Sequence, residues 1–440
     1  MKKREYFMEK KPARAVALLP IGVFLVLYLG LGCLFEYGMK IEMGFYNIPI
    51  VVAFLAAILV ACLQNRALSF DEKLEVMAKG VGDKNIMTMI LIFLAAGVFV
   101  GVVGRSSAES VAYFMLAHIP ARFAVAVLFV VSCFVSTAMG TSCGTITLIV
   151  PIAVAVARTS GFSLPLCIGS VMGGAMFGDN LSFISDTTIA ATRTQECSMR
   201  DKFRVNGLIA VPAAAAVLGL YLLSGAEMPA AAQRQSVEWI PIVPYLAVLV
   251  LAVCGVHVTT VLVTGIVLTG AVGLLGGSVG WIEWIGALGE GIAGMGELIV
   301  ITLLAGGMLE MIRRGGGIDY LIGALTRKVS GKRTAELSIA ALVSMANLCT
   351  ANNTIAIITT GPIARQIADR FGVDRRKSAS LLDSFSCFVQ GLIPYGAQLM
   401  IAAGLASVSP LEIIGYLYYP MALGICSLLA ILLRYPRKYS

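Results

Sequence analysis

Asp179 and Asp186 stand seven residues apart in the run GDNLSFISDTT (178–188), a spacing close to two helical turns. The same run carries Asn180, Ser182, Ser185, Thr187 and Thr188, so most of its side chains bear oxygen. Carboxylate, hydroxyl and carbonyl oxygens are hard ligands, better matched to Na⁺ than to a transition metal. A carboxylate inside an apolar span costs at least about 2.5 kcal/mol on insertion scales and usually marks an ion or proton path. Once the cation leaves, a buried carboxylate can hold a proton instead, so one site serves both ions in competition. The sequence thus predicts a Na⁺ site at Asp179 and Asp186. The competing structural readings are a carboxylate capping a broken helix for Asp179, and a solvated cap near Arg193 for Asp186.

Three further polar runs interrupt apolar sequence. In DSFSCFVQGLIPYG (383–396), Asp383, Ser386 or Cys387, and Gln390 fall on one helical face leading to a glycine-proline break. Lys377 lies only six residues before Asp383, which leaves an interfacial position as the plainer alternative. GTSCGT (140–145) supplies Thr141, Ser142 and Thr145, and CTANNTIA (349–356) supplies Asn352, Asn353 and Thr354, as two candidate hairpin tips. These residue types also dominate helix caps, so capping competes with ligand contact. Polar, glycine-rich backbone at membrane depth is tolerated only where it is buried or lines a cavity.

The elements that must position these residues are transmembrane helices. Of the 440 residues, 58% are hydrophobic and 13% charged, against roughly 25% charged in a soluble domain. Apolar stretches recur at 15–35, 48–64, 86–104, 123–139, 205–223, 239–255, 258–277, 298–312 with its flanks, and 411–433. Each approaches the roughly 20 residues needed to cross a bilayer. The run after Arg14 is long and lacks a small-residue cleavage signature, so it reads as a retained first span. The polar loops 65–85 and 313–334 are too short for a folded catalytic domain, which argues against ATP-driven pumping and against an enzyme. SGKRT (330–334) is no phosphate-binding loop, because Thr326 stands where that loop needs glycine. The ten cysteines read as small buried hydrophobes, and the isolated His118 and His257 are given no metal-ligand role. Glu290 and Glu297 follow two tryptophans and read as part of an interfacial belt. No cofactor is expected.

The net charge of +8 is scattered over short loops, which argues against nucleic acid. With the N-terminus in the cytoplasm, 28 Lys and Arg fall inside and 5 outside (Lys40, Arg105, Arg122, Arg158 and Arg234), which predicts that both termini are cytoplasmic. Shifting the sequence by 211 residues superimposes Pro151 on Pro362, Gly161 on Gly372, Asp179 on Gln390 and Leu181 on Leu392. The predicted fold class is an all-α polytopic membrane protein made of two inverted-topology repeats, 1–225 and 226–440, with helical hairpins and broken transmembrane helices in one transport domain.

The segment GGAMFGDNLSFISDTTIAATRTQ (173–195) resembles the signature of the NhaC-type sodium/proton antiporter family, and Leu382, Asp383 and Ser384 followed by Ile393 and Pro394 resemble its second signature. The resemblance implies Na⁺/H⁺ antiport at a bacterial inner membrane, with Asp179 and Asp186 as site carboxylates and Asp383 in a matching acidic position. Na⁺, H⁺ and the lipid bilayer are the implied partners, with a homodimer as a permitted assembly. The sequence departs from the family pattern at Phe183, where proline is common, and at Gly396 and Ala397, where an Asn-Thr pair is common. Because related carriers move small carboxylates and amino acids, Na⁺- or H⁺-coupled transport of such a solute is the alternative.

Overall fold

A computed structural model describes residues 13–41, 49–183, 185–225, 239–277, 279–326 and 329–439. The basic N-terminal cluster Lys2, Lys3 and Arg4, the loop residue Arg234, and the chain just after the expected 225/226 junction lie outside the described residues. The regular secondary structure of the described residues is entirely helical, without a strand.

A first helical run, Ala15–Leu18 to Leu34–Gly38, alternates between 3₁₀, α and π segments. Eight helices follow in the first half: α1 Ile50–Gln64, α2 Phe70–Val81, α3 Lys84–His118, α4 Ala124–Met139, α5 Ser142–Ser160, α6 Leu164–Leu181, α7 Asp186–Gln195 and α8 Met199–Ser224. After the helix Trp239–Val253 come α9 Val258–Leu275, α10 Trp281–Gly294, α11 Gly296–Arg314, α12 Gly317–Thr326, α13 Lys332–Thr350, α14 Asn353–Phe371, α15 Arg375–Leu392, α16 Ala397–Ala406, α17 Pro410–Ile414 and α18 Tyr418–Leu432. Five helical runs among the described residues are long and apolar enough to cross a membrane, or six if the pair 70–81 and 86–102, bent by 63°, is one span. The protein is a multi-pass membrane protein.

Three helices, α5, α6 and α7, begin and end 211 residues before α14, α15 and α16. The details recur as well. Gly161 and Gly372 close α5 and α14 in the left-handed region, and so do Glu196 and Ser407 after α7 and α16. Ser136 donates its hydroxyl to the Ala175 carbonyl at 2.7 Å, and 211 residues on Asn347 donates its amide to the Ser386 carbonyl at 2.8 Å. Each of these bonds fastens a hairpin's first arm to the helix that ends in a break.

Packing crosses between the halves. Helix α2 lies on α11 while α10 lies on α3, and α7 lies on α14 while α16 lies on α5. The first crossing depends on glycine: a Cβ on Gly97 would stand 2.3 Å from the Gly291 carbonyl oxygen, and one on Gly80 would stand 2.2 Å from that of Gly306. Backbones this close give the dispersion contact on which helix association in lipid relies.

Several expectations are corrected. The stretch 65–85, expected as a loop, contains α2, because Ser69 and Glu72 form a capping box that starts a helix. The stretch 313–334 likewise holds α12. The stretch 411–433, expected as one span, breaks between α17 and α18. Pro420 has no backbone N–H to give to a preceding turn, so it fits only in the first turn of a new helix.

Candidate functional site

The tip of the first hairpin turns in two residues. Gly140 (φ +70°) ends α4 in the left-handed region and Thr141 caps α5, its hydroxyl accepting from the Gly144 N–H. The second tip makes the same turn with Ala351 at φ +48°, and Asn352 caps α14 by accepting from the Ile355 N–H at 3.0 Å. An alanine held there costs roughly 1–2 kcal/mol, strain of the kind that collects at functional sites. It is offset in part because the Ala351 carbonyl accepts the Gln390 side-chain amide at 3.0 Å.

Helix α6 stops at Leu181, leaving its last carbonyls without helical partners. Side chains take their place. The Asp179 carbonyl accepts from the Ser185 hydroxyl at 2.7 Å and the Thr187 hydroxyl at 3.0 Å. The Asn180 carbonyl accepts from Lys202 at 2.7 Å and Asn206 at 3.1 Å. With these bonds made, Ser182 and Ser185 are each extended, and the Ser185 hydroxyl caps α7.

A cavity of about 100 Å³ lies between the two hairpin tips and the two breaks. Asp179, 5% exposed, faces it and accepts both the backbone N–H of Ser142 at 3.0 Å and its hydroxyl at 2.5 Å. The Ser142 oxygen in turn accepts the Gln398 amide at 3.1 Å, and the Gln398 carbonyl oxygen accepts the Gln390 amide at 2.7 Å. A continuous hydrogen-bonded chain therefore joins Gln390 of one break to Asp179 of the other.

Of the residues expected at the site, Asp179, Asp186, Thr187, Thr141, Ser142, Asn352, Asn353, Thr354 and Gln390 all line this cavity. Asp186 is exposed, in the first turn of α7, where the helix dipole favours an anion. Five lie elsewhere. Thr145 is buried and donates to the Thr141 carbonyl of its own helix at 3.0 Å, while Ser182 donates to the Thr137 carbonyl at 2.7 Å. Ser185 holds the break as described, and Asn180 donates its amide to Asp383 at 3.0 Å and to Ser384 at 3.3 Å.

Asp383 is fully buried, not interfacial, and is ion-paired with Lys202 at 2.5 Å. Lys202 and Lys377 are among the 28 basic residues expected on the cytoplasmic side. Both are 1% exposed, and Lys377 pairs with the equally buried Glu336 at 3.3 Å. A signal for Lys202 was available: it shares a helical face with Val205, Asn206, Ile209 and Ala213, all buried, whereas Arg200 and Arg204 are exposed. Gln398 was also missed, although it stands 211 residues after Thr187. Thr88 and Cys143 complete the polar part of the lining.

Apolar helices gathered around a cavity lined by Asp179 and Asp186 define an integral membrane protein with a polar cavity among its helices. The chain belongs to the Na⁺/H⁺ antiporter family, which it matches over residues 9–226 and 230–436. It is 25% identical to the Na⁺/H⁺ antiporter NhaC of Bacillus subtilis, with 96% of this chain and 98% of that protein covered. It is 23% identical to the malate-2H⁺/Na⁺-lactate antiporter of the same organism, covering 96% of this chain and 94% of that protein. Among solved structures it is similar to the YdaH transporter of Alcanivorax borkumensis, at 12% identity, TM-score 0.41, and coverage of 96% of this chain and 99% of that one. Membership of this family makes the protein a secondary transporter.

Proposed function

We propose that the protein exchanges Na⁺ for H⁺ by alternating access, the two ions competing for Asp179. The observation that carries this reading is the state of that carboxylate. Asp179 is buried, faces the cavity, and among the described residues takes its hydrogen bonds from Ser142 alone. An isolated buried charge is costly, by several kcal/mol even after relaxation, and either a proton or a metal cation relieves it. Thr141, Thr187, Asn352 and Thr354, all bearing hydroxyl or amide oxygens, line the same space. The cavity has room for a small cation with some of its water. Asp383, neutralised by Lys202, is a poorer place for an ion to arrive.

Two inverted repeats, 1–225 and 226–440, would supply the moving parts, consistent with the helix ends that recur at a 211-residue offset and with the crossed packing of the halves. The count of basic residues supports cytoplasmic termini, and similarity to antiporters of Bacillus subtilis supports a bacterial membrane.

A second reading, coupled transport of a small carboxylate, is favoured by one observation. The Asn353 side-chain nitrogen, in a residue at the N-terminus of α14 that lines the cavity, is buried with no acceptor among the described residues. A helix N-terminus with a spare amide donor suits a carboxylate. The two readings separate in proteoliposomes carrying a pH-sensitive dye, challenged with Na⁺, Li⁺, K⁺ and a panel of carboxylates and amino acids. Proton movement driven by Na⁺ alone supports exchange; proton movement only when a carboxylate is present supports the second reading and overturns the first.

A further inference from the structure

The Lys202–Asp383 pair lies beside the Asp179 cavity but outside its lining, and its geometry is that of an occupied cation site. The Lys202 ammonium has three oxygens around it: the Asp383 carboxylate at 2.5 Å, the Asn180 carbonyl at 2.7 Å and the Thr188 hydroxyl at 2.7 Å. They come from three elements, α15, the end of α6 and α7, and so from both halves of the chain. Carboxylate, carbonyl and hydroxyl make a donor set suited to a hard monovalent cation. The broken C-terminal end of α6 adds its negative dipole end.

Two more polar side chains belong to the cluster. Asn180 and Asn206 both donate their amide nitrogens to Asp383, at 3.0 and 2.9 Å. Their own amide oxygens are buried with no donor among the described residues. Three oxygens therefore hold the ammonium, and two amide side chains on the same carboxylate keep oxygens that no donor among the described residues uses. The second break has no equivalent, because the positions 211 residues after Lys202 and Asn206 are Ile413 and Leu417.

We propose that Lys202 is a tethered cation occupying a second Na⁺ site built by Asp383, Asn180, Thr188 and Asn206, so that the carrier binds one Na⁺ per chain where its oxygen ligands could hold two. The proposal rests on the Na⁺ reading of the Asp179 cavity. Thr187 connects the two places: it lines the cavity, bonds the Asp179 carbonyl, and is followed directly by Thr188, whose hydroxyl accepts from the Lys202 ammonium. With the ammonium removed and Asp383 retained, a Na⁺ entering from the cavity can pass Thr187 and restore the charge balance.

The test is equilibrium binding of radiolabelled Na⁺ to purified full-length protein in detergent, comparing wild type, Lys202→Gln, Lys202→Ala, and Lys202→Gln combined with Asp383→Asn. The expected result is one Na⁺ per chain in wild type and two in either single variant, with the added Asp383→Asn removing the second ion again. A single variant that folds only in the presence of Na⁺ also supports the proposal. Single variants that bind one Na⁺, or that stay unfolded at every Na⁺ concentration while the double variant folds, overturn it. A wild-type protein that binds no Na⁺ overturns the Na⁺ reading of the Asp179 cavity itself, and with it this proposal.

Discussion

Ser142 gives both its backbone N–H and its hydroxyl to the carboxylate of Asp179, and the same hydroxyl oxygen receives the amide of Gln398 from the other half of the chain. One residue at a hairpin tip thus holds the carboxylate of one break and is itself held from beyond the second break. Any movement that separates the halves must disturb this link, because Gln398 belongs to α16, which packs on α5.

Replacing Ser142 by alanine keeps the backbone donor and removes the hydroxyl. A hydrogen bond to a charged group contributes about 1.5–3 kcal/mol, so the anionic carboxylate loses support and the proton competes better with Na⁺. The Na⁺ concentration for half-maximal exchange should rise roughly tenfold or more at neutral pH. A dye-dequenching titration in proteoliposomes reads this, and an unchanged midpoint would remove Ser142 from the account.

Gln398→Leu cuts the chain of hydrogen bonds between Gln390 and Asp179 without introducing charge. Each neutral hydrogen bond contributes about 1 kcal/mol, so turnover should fall several-fold while the folded protein survives purification. Transport at the wild-type rate would mean that the link between the breaks has no part in the cycle.

The glycine crossing is tested by stability. Gly97→Ala places a methyl 2.3 Å from the Gly291 carbonyl oxygen, whereas a Cβ at Gly286, on α10 of the same crossing, meets nothing within 4 Å. Overpacking costs about 1–3 kcal/mol, so Gly97→Ala should lower the unfolding temperature in detergent and Gly286→Ala should not. Equal behaviour of the two variants would contradict the close approach of α3 and α10.

The polar breaks were legible because hydroxyls, amides and carboxylates are out of place in apolar sequence, so nine expected residues meet in one cavity. Thr145 and Ser182 carry the same chemistry, yet they bond backbone carbonyls in their own surroundings, a distinction set by the direction of a side chain and not by its type. Lys202 was hidden differently. In a run with Arg200 and Arg204 it reads as one more loop charge, and only the helical face it shares with Asn206 and Ile209 reveals that it points inward. Asp383 then changes meaning with it, from a candidate ion ligand to half of a buried ion pair. Helix α2 was read as loop because its polar face outweighs its apolar one in composition, although its capping box was present in the sequence.

On the proposed function one carboxylate, that of Asp179, binds Na⁺ and H⁺ in turn. It is tested most directly by Asp179→Asn, which keeps the size of the side chain and removes its charge, reconstituted in proteoliposomes beside the wild type at matched folded yield. An imposed Na⁺ gradient should drive proton movement in the wild type and none in Asp179→Asn, with the variant still showing a wild-type unfolding temperature. Na⁺-driven proton movement that persists in Asp179→Asn would contradict the account.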